Sequence, residues 1–184
     1  VDYGGTKVAY IGIATPESFV KSTPAYFQDA NGNYIYSFCE DDDGSALYKA
    51  VQKSIDKAKL LADYVIGLGH LGVDPSSSPW TSREVIQHTS GLDAFIDGHS
   101  HSTQEDIIVA LGGTQTQVGD VVVTSGTDMV NGTVLTSTGT KLENIGVVTI
   151  KDSAITTECV PTEGIEVPAD NEIAARAAAI AAEV

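Results

Sequence analysis

Short apolar runs alternate with amphipathic segments through the first hundred residues of the chain. Residues 7–15 (KVAYIGIAT), 63–72 (DYVIGLGHLG) and 92–101 (LDAFIDGHSH) contain β-branched and apolar runs, which predict three buried strands. Residues 45–62 place apolar side chains three and four positions apart, with lysines on the opposite face, and residues 80–88 form a shorter helical segment. Strand, helix, strand, helix and strand in this order predict an α/β fold with a largely buried sheet.

The pattern changes after residue 101, where short β-rich pieces are separated by threonine and glycine. These pieces predict strands of a mixed or antiparallel sheet, so the fold class is α/β with mixed sheets. The pieces are residues 106–111, 120–126, 133–140, 145–150 and 154–160. Residues 169–184 form an alanine-rich helical pattern whose apolar side needs a partner. We therefore divide the chain into residues 1–168 and a helix over residues 169–184 that links to a further domain.

The chain is strongly acidic, with a net charge of −15 over 184 residues. A surface of this charge repels nucleic acid and anionic lipid, so we expect no nucleic-acid partner. It also repels a phosphorylated substrate unless a local positive charge, such as a bound metal, offsets the field. No apolar run approaches the length of a membrane span, so we expect no membrane insertion. Because the chain starts at Val1 rather than Met, the lack of a signal peptide is not evidence for a cytoplasmic location.

Three of the four histidines follow predicted buried strands. His70 comes after YVIGLG, and His99 and His101 come after AFID. Ligands of open α/β sheets bind beyond the carboxyl ends of the strands, where these histidines are expected to converge. On an extended backbone, His99 and His101 project to the same side, and neutral imidazole is a common ligand of transition metals. His88 ends a predicted helix, where an ordinary structural role is favoured.

Two segments that contain these histidines resemble a known family. GLGHLG (residues 67–72) followed by GLDAFIDGHSHS (residues 91–102) is similar to the C-terminal half of a calcineurin-like metallophosphoesterase domain. The nearest subgroup is the secreted 5′-nucleotidase type, which includes UDP-sugar hydrolases and 2′,3′-cyclic-nucleotide 2′-phosphodiesterases. The opening KVAYIGIATPES (residues 7–18) and LTSTGTKLENIGVVTI (residues 135–150) also resemble that subgroup.

The resemblance implies half of a four-layer α-β-β-α sandwich whose active site holds two divalent metal ions. It implies that His70 and His99 ligate one ion and that His101 ligates the other. The ions would be Zn, Mn, Fe, Co, Ni or Mg, and they would activate water for attack on a nucleotide or a related small phosphoester. Asp97 is a candidate for orienting a ligating histidine, or it simply ends its strand. The sequence identifies no substrate-binding residue.

The family also requires an Asp-x-His pair, a Gly-Asp and a Gly-Asn-His, and none of them stands in the expected place. Asp97-Gly98-His99 lies inside the downstream motif, Gly119-Asp120 falls after the histidines, and Gly32-Asn33 precedes Tyr34 rather than a histidine. We therefore expect a fragment with little or no phosphatase activity by itself. Its partners would be the N-terminal half and a C-terminal domain of the same polypeptide. The resemblance also implies an extracellular, periplasmic or cell-wall-attached location.

Two alternatives belong to other functional classes. The chain would be a non-catalytic acidic binding module of the cell surface if its histidines are incidental, and metal content separates this possibility from the first. An amidohydrolase also uses His-x-His, but its pair stands on the first strand of a much longer barrel. Among further residues, Thr15, Pro16 and Glu17 end the first predicted strand and are candidates to line the site, whereas Trp80 favours a packing role.

Overall fold

The computed structural model describes residues 1–166, 168 and 171–182. Helices alternate with strands in the first half of the chain, and antiparallel hairpins dominate the second half. The strands are β1 (Asp2–Tyr3), β2 (Thr6–Ala14), β3 (Tyr64–His70), β4 (Ala94–Ile96), β5 (Thr114–Val118), β6 (Val121–Ser125), β7 (Met129–Val130), β8 (Thr133–Thr136), β9 (Asn144–Lys151) and β10 (Ala154–Pro161). The helices are α1 (Ser18–Lys21), α2 (Ser45–Lys59), α3 (Ser82–Gln87), α4 (Gln104–Ala110) and α5 (Glu172–Ala181).

A six-stranded sheet in the order β1-β2-β3-β4-β8-β7 forms the centre of the molecule. Strands β2, β3, β4 and β8 run parallel to one another, and the edge strands β1 and β7 run antiparallel to β2 and β8. The hairpins β5–β6 and β9–β10 form separate two-stranded sheets. The predicted α/β class with mixed sheets is therefore confirmed, and the parallel strands point their carboxyl ends toward one edge.

The helical side of the sheet holds the larger part of the core. Helix α2 buries its apolar stripe there, with Ile55 fully buried, as the periodicity of residues 45–62 predicts. Phe95 on β4 is also fully buried and lies beneath two glycines of β3. A Cβ added at Gly67 would lie 2.7 Å from the Phe95 ring, and one added at Gly69 would overlap that ring. These two positions accept only glycine while Phe95 keeps its place.

The opposite side of the sheet is only partly covered. Its inner cluster consists of Val8, Ile66, Ala94 and Val134. Ile150 and Ile155 of the β9–β10 hairpin pack against this cluster. Nearer the carboxyl ends of the strands the same side continues as Tyr10 and Leu68, and each of these is 42% exposed. Apolar surface therefore remains open beside the strand ends that carry the histidines.

Three elements differ from the sequence-based expectation. Residues 106–111 were predicted as a strand but lie mainly in α4, because Thr103 and Asp106 form a capping box that starts a helix and Ile107 fills the core. The third predicted strand, over residues 92–101, is confined to β4, and its histidines lie in a loop. The C-terminal helix is present as α5, whereas residues 169, 170, 183 and 184 of its predicted span lie outside the described residues.

Within the described part of the chain, we find no helix with the length and apolar character that crossing a bilayer requires. Helix α5 has ten residues, and none of them is buried. Ile173 on this helix is 81% exposed. The apolar side that the sequence pattern predicts is thus present, and it lies open in this structure.

Helix α3 begins with a capping box at Thr81. Thr81 accepts a hydrogen bond from the Glu84 backbone N–H, and the Glu84 carboxylate accepts one from Thr81 N–H. Burial by itself would raise the pKa of Glu84, but hydrogen bonds from Ser78 and Thr81 outweigh it and hold the pKa below its ordinary value.

This depressed pKa predicts a loss of stability in acid. Unfolded glutamate has a pKa of about 4.3, so ionised Glu84 stabilises the fold above that pH, and its contribution disappears as the pH falls through the lower folded-state pKa. The free energy of unfolding in urea, measured between about pH 5 and pH 3, should therefore decline less steeply for Glu84→Gln than for the unaltered chain. Equal slopes for the two proteins would contradict the expectation.

Candidate active site

Loops that follow three adjacent parallel strands meet at one edge of the sheet. Glu17 lies three residues beyond β2, His70 is the last residue of β3, and His99 lies three residues beyond β4. Ser77 belongs to a short 3₁₀ turn, Pro75–Ser77, in the loop after β3. Because the strands run parallel, their carboxyl ends deliver these side chains to the same place, as the sequence predicts for His70 and His99.

The imidazole rings of His70 and His99 are neighbours. Their centroids are 4.9 Å apart and their planes meet at 64°. Gly98 makes room for this arrangement, since a Cβ at that position would lie 3.2 Å from His70 Nδ1. Two nitrogen-bearing rings therefore stand side by side at the edge of the sheet.

The backbone of the double-histidine loop is left-handed rather than extended. The φ angle is 85° at His99 and 55° at His101, a region that residues with a Cβ rarely adopt. The expectation of an extended backbone at His99 and His101 is therefore wrong. Non-glycine residues keep such angles only where the surrounding structure holds them, at a cost of about 1–3 kcal/mol each. Such strain is concentrated at functional sites.

A carboxylate holds one of the two neighbouring rings. Glu17 Oε2 lies 2.8 Å from His99 Nε2 and accepts a hydrogen bond of 2.7 Å from Ser77 Oγ. Glu17 and Ser77 are both buried, at 8% and 3% exposure. Burial by itself would raise the pKa of Glu17, but the hydrogen bonds from Ser77 and His99 and the charge of Lys21 outweigh it and keep the pKa below its ordinary value. The carboxylate is therefore ionised at neutral pH.

Asp97 contacts backbone rather than a histidine ring. Its Oδ1 accepts a hydrogen bond of 3.0 Å from the Leu71 backbone N–H, immediately after His70. Its Oδ2 is buried and has no hydrogen-bond partner among the described residues. Asp97 thus fixes the turn that follows His70 and leaves one buried carboxylate oxygen unsatisfied.

The remaining predicted residues are placed as follows. His101 is exposed, and no described contact joins it to the His70–His99 pair. Ser100 accepts a hydrogen bond from Val73 N–H, which ties the double-histidine loop to the loop after β3. His88 stacks on Tyr48 at 4.4 Å, away from the pair, in keeping with its predicted structural role.

Glu17 is the site residue that the sequence indicated least clearly. The segment Thr15-Pro16-Glu17 was a candidate for lining the site only because it ends a predicted strand on the same edge of the sheet. The hydrogen bond to His99 joins residues 82 positions apart, which local patterns do not reveal. Within the loop, the Thr15 hydroxyl accepts the Glu17 N–H, and this bond fixes the backbone that carries the carboxylate.

The donors present fit one part of a metal centre. His70 and His99 offer imidazole nitrogens, Gly98 leaves space beside them, and the orphaned Asp97 oxygen would be satisfied by a cation or by a donor that a cation holds. In residues 1–166, 168 and 171–182, however, no cluster of three or more His, Cys, Asp or Glu side chains is arranged to hold an ion. The described chain therefore supplies a pair of donors rather than a complete set.

Solved structures share this architecture. The calcineurin-like phosphoesterase YfkN from Bacillus subtilis matches all of this chain with a TM-score of 0.58 and 19% sequence identity. The chain carries part of the calcineurin-like phosphoesterase fold. A candidate 5′-nucleotidase from Staphylococcus aureus, determined in complex with alpha-ketoglutarate, also matches the whole chain, with a TM-score of 0.51 and 14% identity.

This phosphoesterase fold was predicted from the two histidine segments, and that prediction is confirmed. The chain spans 54% of the Bacillus protein and 32% of the Staphylococcus protein. No family model and no curated protein matches the sequence. The likeness therefore establishes the fold, and the activity has to be argued from the site.

Proposed function

We propose that this chain is part of a metal-dependent phosphoester hydrolase of the 5′-nucleotidase type. The observation that carries the proposal is the His70–His99 pair, backed by Glu17, at the carboxyl ends of parallel strands. His99 keeps a positive φ beside the His70 ring, and the two solved structures described above bear the names of phosphoester-cleaving enzymes. The proposed substrate is a nucleotide or another small phosphoester.

In this proposal His70 and His99 ligate one divalent ion and His101 ligates a second, each ion being Zn, Mn, Fe, Co, Ni or Mg. Such ions would polarise the phosphoryl group, activate water and offset the net charge of −15 at the substrate. The residues of this chain do the positioning. Glu17 holds the His99 ring, and Asp97 holds the backbone after His70.

We further propose that residues 1–168 form the C-terminal part of a catalytic domain and that residues 169–184 link it to a nucleotidase C-terminal domain. The chain covers 54% of one solved structure and 32% of the other. This partial coverage supports the proposal that the other metal ligands come from elsewhere in the polypeptide. On this basis the protein is exported or attached to the cell wall, and it has no nucleic-acid partner.

Metal titration of the 184-residue chain tests the metal assignment. We expect one weakly bound transition-metal ion, because the described chain offers a donor pair and no cluster of three. Binding is measured by calorimetry with Co²⁺ or Zn²⁺. His70→Ala and His99→Ala should each weaken this binding about 100-fold or abolish it, since each removes one of two imidazole donors. His101→Ala should leave it nearly unchanged.

His88→Ala is the matched control, since His88 stacks on Tyr48 and lies outside the site. Equal affinity of the unaltered chain and the double variant His70→Ala, His99→Ala would rule out the assignment. Complete absence of binding to the unaltered chain would favour a non-catalytic acidic module with incidental histidines, once the longer polypeptide also failed to bind.

A hydrolysis assay distinguishes the 184-residue chain from the longer polypeptide. We expect the purified chain to release little or no phosphate from nucleoside monophosphates in the presence of Mn²⁺, Zn²⁺ or Co²⁺, because its donors are incomplete. The longer polypeptide should hydrolyse them, and His99→Ala should lower kcat at least 100-fold there. Metal-dependent turnover by the 184-residue chain alone would refute the proposal that it is an incomplete site.

A further inference from the structure

We propose that Glu17 is a positioning residue for His99, which fixes the ring so that Nδ1 is its donor atom toward the site. The inference deepens the proposed function and rests on it for its catalytic meaning. The orientation of the His99 ring by Glu17 is a property of the metal-free chain, and it rests on contacts between the loops after β2, β3 and β4.

The protonation pattern follows from the Glu17 carboxylate. An ionised carboxylate accepts hydrogen bonds and donates none. His99 Nε2, which lies 2.8 Å from Glu17 Oε2, must therefore carry the proton in this contact. In a neutral imidazole the other nitrogen then holds the free electron pair, so a ligand meets His99 through Nδ1. No hydrogen bond to that nitrogen is formed by the described residues.

The carboxylate itself is held from two sides. Ser77 Oγ donates to the same oxygen that faces His99, and it reaches Glu17 from the loop after β3. On the Glu17 side, Thr15 Oγ1 accepts the backbone N–H of Glu17 at 3.1 Å. Residues that follow β2 and β3 thus orient the carboxylate together. The carboxylate in turn orients the His99 ring in the loop after β4.

A purely structural role for Glu17 does not account for its position. Helix α1, which begins next to it, has four residues and none of them is buried, so no core packing there requires a glutamate. Lys21 lies 3.7 Å away and is 54% exposed, which makes a weak surface pair. The buried contacts of Glu17 are directed instead at Ser77 and His99, and the latter keeps a φ of 85°.

The metal-free test uses the chain with ¹⁵N-labelled histidine at a pH where imidazole is neutral. We expect a slowly exchanging His99 Nε2–H signal and a nuclear Overhauser contact between the His70 and His99 rings, whose centroids are 4.9 Å apart. Glu17→Ala should abolish both signals. Glu17→Gln keeps the side-chain volume and serves as the second variant if alanine does not fold; it should weaken both signals.

The metal-dependent test is a Co²⁺ titration of the same proteins. Loss of a group that orients a ligating histidine lowers metal affinity 10–100-fold, as a general rule, and we expect that range for Glu17→Ala and a smaller loss for Glu17→Gln. Unfolding in urea checks that each variant keeps its fold. A role confined to stability would move the unfolding midpoint and leave the affinity of the folded protein unchanged.

Glu40→Ala provides a matched control. Glu40 also accepts hydrogen bonds from a serine hydroxyl and a backbone N–H, those of Ser37 and Phe38, but contacts no histidine. It should leave the ring contact and the Co²⁺ affinity unchanged. Unaltered His99 signals in Glu17→Ala would overturn the inference. Loss of those signals, with no Co²⁺ binding by this chain or by the longer polypeptide, would keep the positioning role and reject the proposed function.

Discussion

Replacing Phe95 with alanine is expected to lower the free energy of unfolding by about 3–5 kcal/mol. The ring is fully buried on the central strand β4 and lies against the space that Gly67 and Gly69 leave open. Those glycines have no side chains that could move into the vacated volume, so the cavity would persist. Urea unfolding followed by circular dichroism measures the change, with the slope m reporting whether the folded state stays compact.

Tyr26→Ala is the control for Phe95→Ala. It also removes an aromatic ring, but Tyr26 is 82% exposed, and the expected change is within about 0.5 kcal/mol. A loss below about 1 kcal/mol for Phe95→Ala would show that the core can collapse around the site, and it would contradict the packing described between β3 and β4.

Gly69→Ala is expected to cost about 3 kcal/mol, because its added methyl group would overlap the Phe95 ring. The added methyl group would also lie 3.3 Å from Asp97 Oδ1, which accepts the hydrogen bond from Leu71 N–H, next to His70. The variant should therefore also weaken the contact between the His70 and His99 rings. Urea unfolding and the ring-to-ring nuclear Overhauser signal measure the two effects.

Gly12→Ala is the matched control for this substitution, since Gly12 also lies within a strand and an added Cβ there meets no atom within 4 Å. In the double variant with Phe95→Ala the cost of Gly69→Ala should largely disappear, because the ring that the methyl group would strike is absent. Strict additivity of the two changes would show that the steric explanation is wrong.

The parallel core was predictable because its information is local. Residues 7–15 and 63–72 combine apolar runs with glycine or proline at their ends, and both contain strands of the observed sheet. Residues 106–111 were assigned wrongly because the five-residue apolar run that follows Asp106 fits either period. What decides it is the capping box of Thr103 and Asp106, together with the burial of Ile107 under the sheet.

The site was predictable in position but not in conformation. His70 and His99 meet because the carboxyl ends of parallel strands share an edge, a rule that applies to any sequence with this order of elements. The left-handed backbone at His99 and His101 follows from tertiary constraints that no residue pattern encodes. The ligand roles of His70, His99 and His101, and that of Asp97 beyond its bond to Leu71, remain predictions.

The edges of the central sheet determine how this chain can associate. Strand β7 is two residues long and pairs with β8. Strand β1 pairs only with Thr6 and Lys7, so beyond Val8 the strand β2 has β3 as its single strand partner among the described residues. A short edge strand such as β7 opposes edge-to-edge growth, whereas the open edge of β2 is a template for pairing with another strand. Association through the six-stranded sheet therefore has two places available. One is the β2 edge, and the other is the open side of the sheet, where Tyr10 and Leu68 are half-exposed next to the histidine loops. Concentration-dependent self-association should therefore respond to substitutions at these two side chains and be insensitive to changes in β7.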